Sequence, residues 1–332
     1  MRQSRMHWWW LVVGVAMVMM CAPAHARSEY YFTGLISTQP VQMDLVLDDS
    51  TITGSYFYDL VGTEIALKGQ GEKNGEATIN EFDEQGKQTG TFTGNLTADR
   101  QTYSGNWSNA DGSRTLPFKL TQVAEYVSVQ QSLPRVNVSG SYPRFLHASP
   151  AQQALTETMR TNVDAAMQRF LKASRANLKG IPTSIKLEAD YHYAIKYYSR
   201  DLLSLVETQF AYPGGAHPST IYVPFNMQLV DGKATPIALA SLFKPGMPYI
   251  SALSDYLIDA LRKQNAQWVV EGQVKSFKAE DLSAFYLRPH ALTFIFQQYA
   301  VGPYAQGTFF VRVPFSAVAA YLNPFGPLSR MI

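Results

Sequence analysis

The side chains that could do chemistry in this sequence are few and scattered. Beyond the amino-terminal leader described below, the histidines are His147, His192, His217 and His290. No two have the His-x-x-x-His spacing that puts two ligands on one helical face, so the sequence predicts no local metal site and no cofactor. No serine stands in the Gly-x-Ser-x-Gly turn of a serine hydrolase. We assign no catalytic residue, although a zinc site built from distant histidines and a glycan-cleaving pair of carboxylates stay open.

His217 stands in a segment that combines rigid and permissive residues. Residues 209–220 read Gln-Phe-Ala-Tyr-Pro-Gly-Gly-Ala-His-Pro-Ser-Thr, and the prolines and paired glycines predict an irregular turn. The turn is either a tight connection with a solvent-facing histidine or a recognition or catalytic loop. Glu207 precedes the segment and could contact His217. If the two side chains meet, a structural hydrogen bond between them is expected rather than a catalytic pair.

A second turn rich in tyrosine lies near the carboxyl end, at residues 299–307. Tyrosine offers a large contact area at low entropic cost, so tyrosines beside two rigid turns indicate an aromatic binding surface. Packing at the edge of the core is the alternative interpretation. The residues that we assign to the binding surface are Tyr212, Gly214, Gly215, His217, Tyr299 and Tyr304.

These turns must be held by the elements around them. Alternation of apolar and polar residues predicts strands at 184–198, 202–210, 220–229, 285–287, 291–296 and 308–314. A helix is predicted from Pro150, capped by Ser149 and ended at Gly180, and a second at 247–266. Residues 130–143 read as an extended segment that leads into this region. The order of elements predicts an α+β domain with its helices packed on one face of an antiparallel sheet.

The first third of the chain has a different pattern. Short alternating segments with Gly, Asn and Asp turns predict an antiparallel β-meander, which we interpret as barrel-like. Its strands are expected at 30–36, 41–47, 51–58, 64–71, 75–82, 89–96, 102–107 and 114–121. A glycine stands two residues before an aromatic residue at Gly54, Gly90 and Gly105. We interpret this repeat as a packing device first and a carbohydrate platform second.

The amino terminus has the layout of a secretory signal peptide. Arg2 and Arg5 precede an apolar run that ends in Ala24-His25-Ala26, so cleavage is expected after Ala26. A lipoprotein anchored at Cys21 is the alternative, disfavoured by the methionines before it. The predicted division is a signal peptide at 1–26, an all-β domain at 27–125 and an α+β domain at 126–332. We expect a periplasmic protein with no membrane span after cleavage.

The charge balance of the two predicted domains differs in sign. Residues 27–125 contain 7 basic and 14 acidic side chains, whereas residues 126–332 contain 19 basic and 12 acidic ones. Each domain has its own solvated surface in the simplest interpretation. Complementary docking of the two domains, or attraction of a cationic partner, are the alternatives. The basic residues are scattered, so the sequence does not indicate nucleic-acid binding.

Several spaced motifs of the second half occur together in a known family. They are Tyr-Pro-Gly-Gly-Ala-His-Pro at 212–218, Leu-Ala-Ser-Leu-Phe at 239–243 with the helix after it, Phe-Tyr-Leu at 285–287, and the 299–307 turn leading to Val-Pro-Phe at 313–315. Over about residues 130–320 the chain resembles the exported domain of the anti-sigma factor that senses lysozyme. The same module occurs in a peptidoglycan deacetylase. Ala300 stands where that family often has an acidic residue.

The resemblance implies a partner rather than a reaction. It implies binding of a lysozyme-like protein or of peptidoglycan, with an inhibitor or immunity role against a wall-degrading enzyme. Anti-sigma activity is not expected, because we find no membrane span or sigma-binding segment, and the separate deacetylase domain is missing. The alternative is a cell-wall glycan hydrolase or deacetylase that uses His217.

Overall fold

The computed structural model describes residues 27–71, 74–329 and 331. The predicted signal peptide, with Cys21 and the cleavage site after Ala26, lies outside the described residues. Within the described part of the chain, no helix combines the length and the hydropathy that a membrane-spanning helix requires.

The first eight strands form a closed antiparallel barrel. They are β1 (Ser28–Ile36), β2 (Gln39–Asp48), β3 (Thr51–Tyr58), β4 (Ile65–Gly71), β5 (Glu76–Phe82), β6 (Gln88–Leu96), β7 (Thr102–Asn109) and β8 (Thr115–Leu133). Each strand pairs with the next, and β8 returns to pair with β1. Closure leaves no free strand edge among the described residues of the barrel. The predicted barrel-like meander is therefore confirmed.

Alternate side chains of these strands fill the barrel. The Gly-x-aromatic repeat contributes Tyr56 and Phe92, both buried, whose ring centroids are 5.3 Å apart. At Gly54, a Cβ atom would lie 2.0 Å from the carbonyl oxygen of Asp44 on the neighbouring strand. The repeat therefore lets strands approach closely around large rings, which agrees with the packing interpretation. The buried residues of this core are Phe32, Ile36, Val41, Met43, Leu45, Leu47, Ile52, Tyr56, Leu67, Ala77, Ile79, Phe92, Leu96, Tyr103, Phe118 and Leu120.

β8 continues beyond the barrel and carries its sheet into the second half of the chain. The strand crosses the predicted boundary between residues 125 and 126 without a break and forms a hairpin with β9 (Val136–Phe145). The extended segment predicted at 130–143 is thus paired strand on both sides of a turn at residues 134–135. β9 pairs with β10 (Leu187–Tyr198), followed by β11 (Leu202–Tyr212), β12 (Ser219–Val230) and β13 (Lys233–Pro236) in the same sheet.

The long helix α1 (Pro150–Asn177) connects β9 to β10. Ser149 and Gln152 form a reciprocal capping box at its amino terminus, as expected from Ser149-Pro150. This crossover brings β10 parallel to β9, so the sheet is mixed rather than purely antiparallel as predicted. Met159, Val163 and Met167 of α1 pack into the core over this part of the sheet.

The remaining elements form a smaller layer. They are α2 (Tyr249–Lys263), α3 (Gln267–Val270), β14 (Phe285–Arg288), β15 (Ala291–Phe296) and β16 (Phe309–Pro314). The three strands form a separate antiparallel sheet, and α2 packs on it rather than on the sheet that carries α1. The expected arrangement of both helices on one face of one sheet is therefore wrong. A buried chain of hydrogen bonds joins the layers: Leu287 N donates to Ser204 Oγ, which donates to Asn226.

Candidate functional site

Two turns meet at one end of the small sheet, and we call their residues 213–218 and 297–308 the paired-turn surface. The first turn joins β11 to β12 and the second leads from β15 to β16. The irregular turn predicted at 209–220 is too wide, because β11 extends to Tyr212 and Ala211 pairs with Ser219. Strand pairing continues up to the proline on each side, where the missing N–H ends the ladder.

Ring stacking and a hydrogen bond join the two turns. The ring centroids of His217 and Tyr304 are 3.8 Å apart, with an angle of 27° between the planes. Tyr304 Oη donates a hydrogen bond of 2.7 Å to the carbonyl oxygen of Pro218. His217 Nδ1 lies 3.1 Å from the same oxygen. The second turn therefore fixes the orientation of the histidine that the sequence singled out.

Gln297 provides a further connection that sequence reasoning missed. Its side-chain amide accepts from Tyr222 N at 3.1 Å and donates to Tyr222 O at 2.7 Å. β13 pairs with β12 only from Met227 onward, so this part of β12 is a sheet edge. The amide of Gln297 occupies that edge as a neighbouring strand would. Gln297 immediately follows β15, but nothing in the sequence indicates which backbone it would meet.

The structure distributes the six predicted surface residues unevenly. Tyr299 has 54% of its surface exposed, and its ring centroid lies 6.0 Å from that of Tyr304. Gly215 is exposed, and a Cβ there would meet no atom within 4 Å, whereas Gly214 has a φ of +90° and a Cβ there would meet Ile181 and Leu187. Tyr212 ends β11 opposite Glu188, where it is half-buried. Thus His217, Tyr299 and Tyr304 form the ring cluster, and Tyr212 and Gly214 support the turn.

The contacts of His217 lie within the paired-turn surface. Its described contacts are the ring of Tyr304 and the carbonyl of Pro218. Glu207, which the sequence suggested as a partner, is buried within β11 and accepts from Gln209 Nε2 at 2.9 Å. Strand pairing keeps Glu207 away from the turn, so that suggestion is wrong. Among the described residues, no three His, Cys, Asp or Glu side chains are placed to hold a metal ion.

A second polar feature lies where the barrel contacts the second half. Glu29, Asp44 and Glu64 of the barrel region face Lys196 of β10 and Arg288 of β14, and we call these five residues the charged cleft. Most of the five line a cavity of about 140 Å³. Arg288 is 5% exposed, and its Nη2 lies 3.0 Å from Glu64 Oε2. Its guanidinium also lies 4.6 Å from the ring centroid of Phe57.

The charged cleft shifts the pKa values of its acids and of Lys196. Burial raises the pKa of Glu29 to about 8, with a further increase from Asp44. Burial also raises the pKa of Asp44 to about 6, although Lys196 opposes the change. The pKa of Lys196 is lowered, first by burial and then by Arg288. Oppositely charged groups from the two halves therefore meet here, as complementary docking of the halves would require. In the sequence, the opposite charge balances of the two halves were the signal that could have indicated this contact.

Comparisons with known proteins bear on the second half of the chain. Residues 129–220 match the family model described as "Deacetylase PdaC", and residues 240–316 match "Protein of unknown function (DUF3298)". No curated protein matches the chain. The resemblance is thus supported at the level of a domain of unknown function, and the anti-sigma family is not identified by these matches.

Two solved structures of the DUF3298 family are similar to the chain. One, from Bacteroides fragilis, is 17% identical with a TM-score of 0.42, covering 63% of this chain and 96% of that one. The other, from Pseudomonas aeruginosa, is 14% identical with a TM-score of 0.46, covering 60% of this chain and 93% of that one.

Proposed function

We propose that the protein is an exported, non-catalytic binding protein of the cell envelope whose paired-turn surface recognises a lysozyme-like protein. The observation that supports this proposal is the meeting of the two turns, with His217 stacked on Tyr304 and Tyr299 exposed beside them. Rings that are already oriented lose little freedom on binding, and tyrosine is enriched among residues that dominate interface energies.

The envelope location rests on the leader and on the resemblance. Residues 1–26 have the pattern of a signal peptide, which supports export of the mature protein to the periplasm. The match of residues 129–220 to the deacetylase PdaC model is consistent with a role near the cell wall. Binding of a wall-degrading enzyme would give the protein an inhibitor or immunity role.

The alternative is a cell-wall glycan hydrolase or deacetylase that uses His217. The geometry supports this function less well, because one face of the imidazole is covered by Tyr304 and Glu207 is held inside β11. A general base needs a partner or substrate proton within hydrogen-bond reach. The contacts of His217 instead orient the ring as part of a surface.

A retention experiment tests the proposal. The purified protein is immobilised and exposed to lysozyme, and separately to purified wall sacculi. We expect lysozyme to be retained, and Tyr299→Ser or His217→Ala to lower its affinity by about ten-fold or more, as for residues at the centre of an interface. The matched control is Leu35→Ser, which removes a side chain that is 47% exposed on the barrel.

Each result of this experiment has a defined meaning. Retention of sacculi but not lysozyme would replace the protein partner with cell-wall glycan. Retention of neither, or equal loss in the Leu35→Ser control, would contradict the binding proposal. Release of acetate or glycan fragments that disappears in His217→Ala would establish the enzymatic alternative.

A further inference from the structure

A groove lies at the opposite end of the small sheet from the paired-turn surface. It has a volume of about 550 Å³, within the range of small-molecule sites, which is roughly 300–1,000 Å³. We call it the carboxyl-terminal groove; its lining residues are Lys244, His290, Arg312, Pro314, Phe315, Ser316, Ala319, Leu322 and Pro324. Since β15 has six residues, about 20 Å of strand separates the two sites.

The floor and surroundings of this groove are apolar. Phe315 and Leu322 are each 5% exposed and form part of the core beneath it. Phe325 follows the last lining residue and is 93% exposed, which is unusual for a phenylalanine in a folded chain. On the barrel side, Val61 is 53% exposed, and its carbonyl accepts a hydrogen bond from Arg312. Exposed apolar side chains near a concave site are typical of an interaction surface.

The charges at the rim of the groove have one sign. Its lining includes Lys244, His290 and Arg312 but no acidic side chain. Lys244 Nζ donates to Ala320 O at 2.8 Å, and Arg312 Nη2 donates to Val61 O at 2.9 Å. These carbonyls orient the cations without neutralising them, and neither cation forms an ion pair with an acid of the described residues.

His290 is the third basic side chain of the lining. It lies within electrostatic range of Asp59, a barrel residue that also accepts a hydrogen bond from Gln42. Lys244 and Arg312 are the two cations available to an anionic ligand. Each retains N–H donors beyond the one that its carbonyl partner receives.

We propose that the carboxyl-terminal groove binds an anionic amphiphile, whose carboxylate or phosphate head lies between Lys244 and Arg312 and whose chain covers Phe315 and Leu322. The two cations favour an anion over a neutral or cationic ligand, and the apolar floor favours a hydrocarbon chain over a small inorganic ion. The proposal is independent of the paired-turn surface.

Calorimetric titration of the purified protein tests this proposal. The probes are dodecanoate, dodecyl phosphate, dodecyltrimethylammonium and acetate, each below its aggregation threshold. We expect the two anionic amphiphiles to bind, the ammonium with the same chain to bind at least ten-fold more weakly, and acetate not to bind. The relative affinity of the carboxylate and the phosphate distinguishes a fatty-acid ligand from a phospholipid-type head. Equal binding of the ammonium and dodecanoate, or no binding of either anion, would overturn the proposal.

Substitutions of lining residues test where the head and the chain of the amphiphile bind. Lys244→Gln and Arg312→Gln should each weaken dodecanoate binding about ten-fold, because each removes a charge-assisted hydrogen bond. Ala319→Glu places an acid at an exposed lining position and should abolish binding. Because Arg312 also contacts the barrel, thermal unfolding of each variant is compared with that of the unaltered protein.

Two further variants serve as controls. Lys263→Gln removes an exposed lysine at the end of α2, and Tyr299→Ser alters the paired-turn surface. Both should bind dodecanoate as the unaltered protein does. Binding that survives both Lys244→Gln and Ala319→Glu in folded protein would place the amphiphile elsewhere and contradict the assignment of the groove.

Discussion

The ring of His217 lies over the ring of Tyr304, with 3.8 Å between centroids, and the Tyr304 hydroxyl donates to Pro218, which is 86 residues away in sequence. The two turns of the paired-turn surface are therefore one structural unit. A change in either turn should alter the other, and this consequence can be measured.

The hydroxyl and the ring of Tyr304 have separable roles. Tyr304→Phe keeps the stack but removes the hydrogen bond to Pro218, so we expect a loss of about 0.5–1.5 kcal/mol in the free energy of unfolding. Tyr304→Ala removes both contacts. The ring-proton chemical shifts of His217, read by NMR, should remain displaced by the neighbouring ring in the Phe variant and move to free-histidine values in the Ala variant. Unchanged shifts in Tyr304→Ala would show that the stack is absent in solution.

The paired glycines of the first turn should respond differently to substitution. Gly214 has a φ of +90°, and a Cβ there would lie 2.9 Å from Ile181 Cδ1, so Gly214→Ala should destabilise the protein by about 1–3 kcal/mol. Gly215→Ala is the matched control, because a Cβ at that position meets open space. Denaturant unfolding of both variants checks the difference. Equal effects would contradict the assigned backbone of the turn.

Glu64 and Arg288 form an ion pair whose members differ in exposure. The side chain of Arg288 is 7% exposed and that of Glu64 is 49% exposed. Glu64→Gln leaves a buried cation near Lys196, so we expect it to lower the free energy of unfolding by about 1–3 kcal/mol. Arg288→Met should cost less, because the freed carboxylate can be hydrated and the methionine can pack against Phe57. Denaturant unfolding of both variants and the double variant measures this order, and a reversed order would be evidence against it.

Stability should fall as the pH rises through the range in which Glu29 is protonated only in the folded protein. Burial raises the pKa of Glu29 from its usual 4.5 to about 8. Below pH 4.5 both states bind the proton, whereas between these values only the folded state does, so stability declines with pH and levels off above pH 8. Asp44 contributes in the same direction between 3.8 and about 6.

The pH dependence of unfolding in Glu29→Gln checks this prediction. The variant should show a smaller decline between pH 4.5 and 8 and should be relatively more stable at the upper end. Glu125→Gln is the control, because it removes an acid whose ion pair with Arg144 is solvent-exposed. Identical slopes in the unaltered protein and Glu29→Gln would contradict the raised pKa.

Local patterns were sufficient for most of the strands and both long helices. The alternation in residues 51–58 predicted β3, and the Ser149-Pro150 pair predicted the start of α1, because each pattern depends only on neighbouring side chains and backbone. The same reasoning missed the extension of β8 beyond residue 121. Alternation continues there, but only the pairing partner β9 decides that the segment is strand rather than linker.

The sequence by itself determined the barrel, the long helices and the positions of the two rigid turns. Only the tertiary structure decided that β9 and β10 run parallel, that Gln297 covers the edge of β12, and that His217 lies on Tyr304. It likewise decided that Lys196 and Arg288 face the acids of the barrel. Periodicity and capping reflect interactions between residues close in the chain, whereas these contacts depend on strand order, register and layer packing, which link residues far apart in sequence.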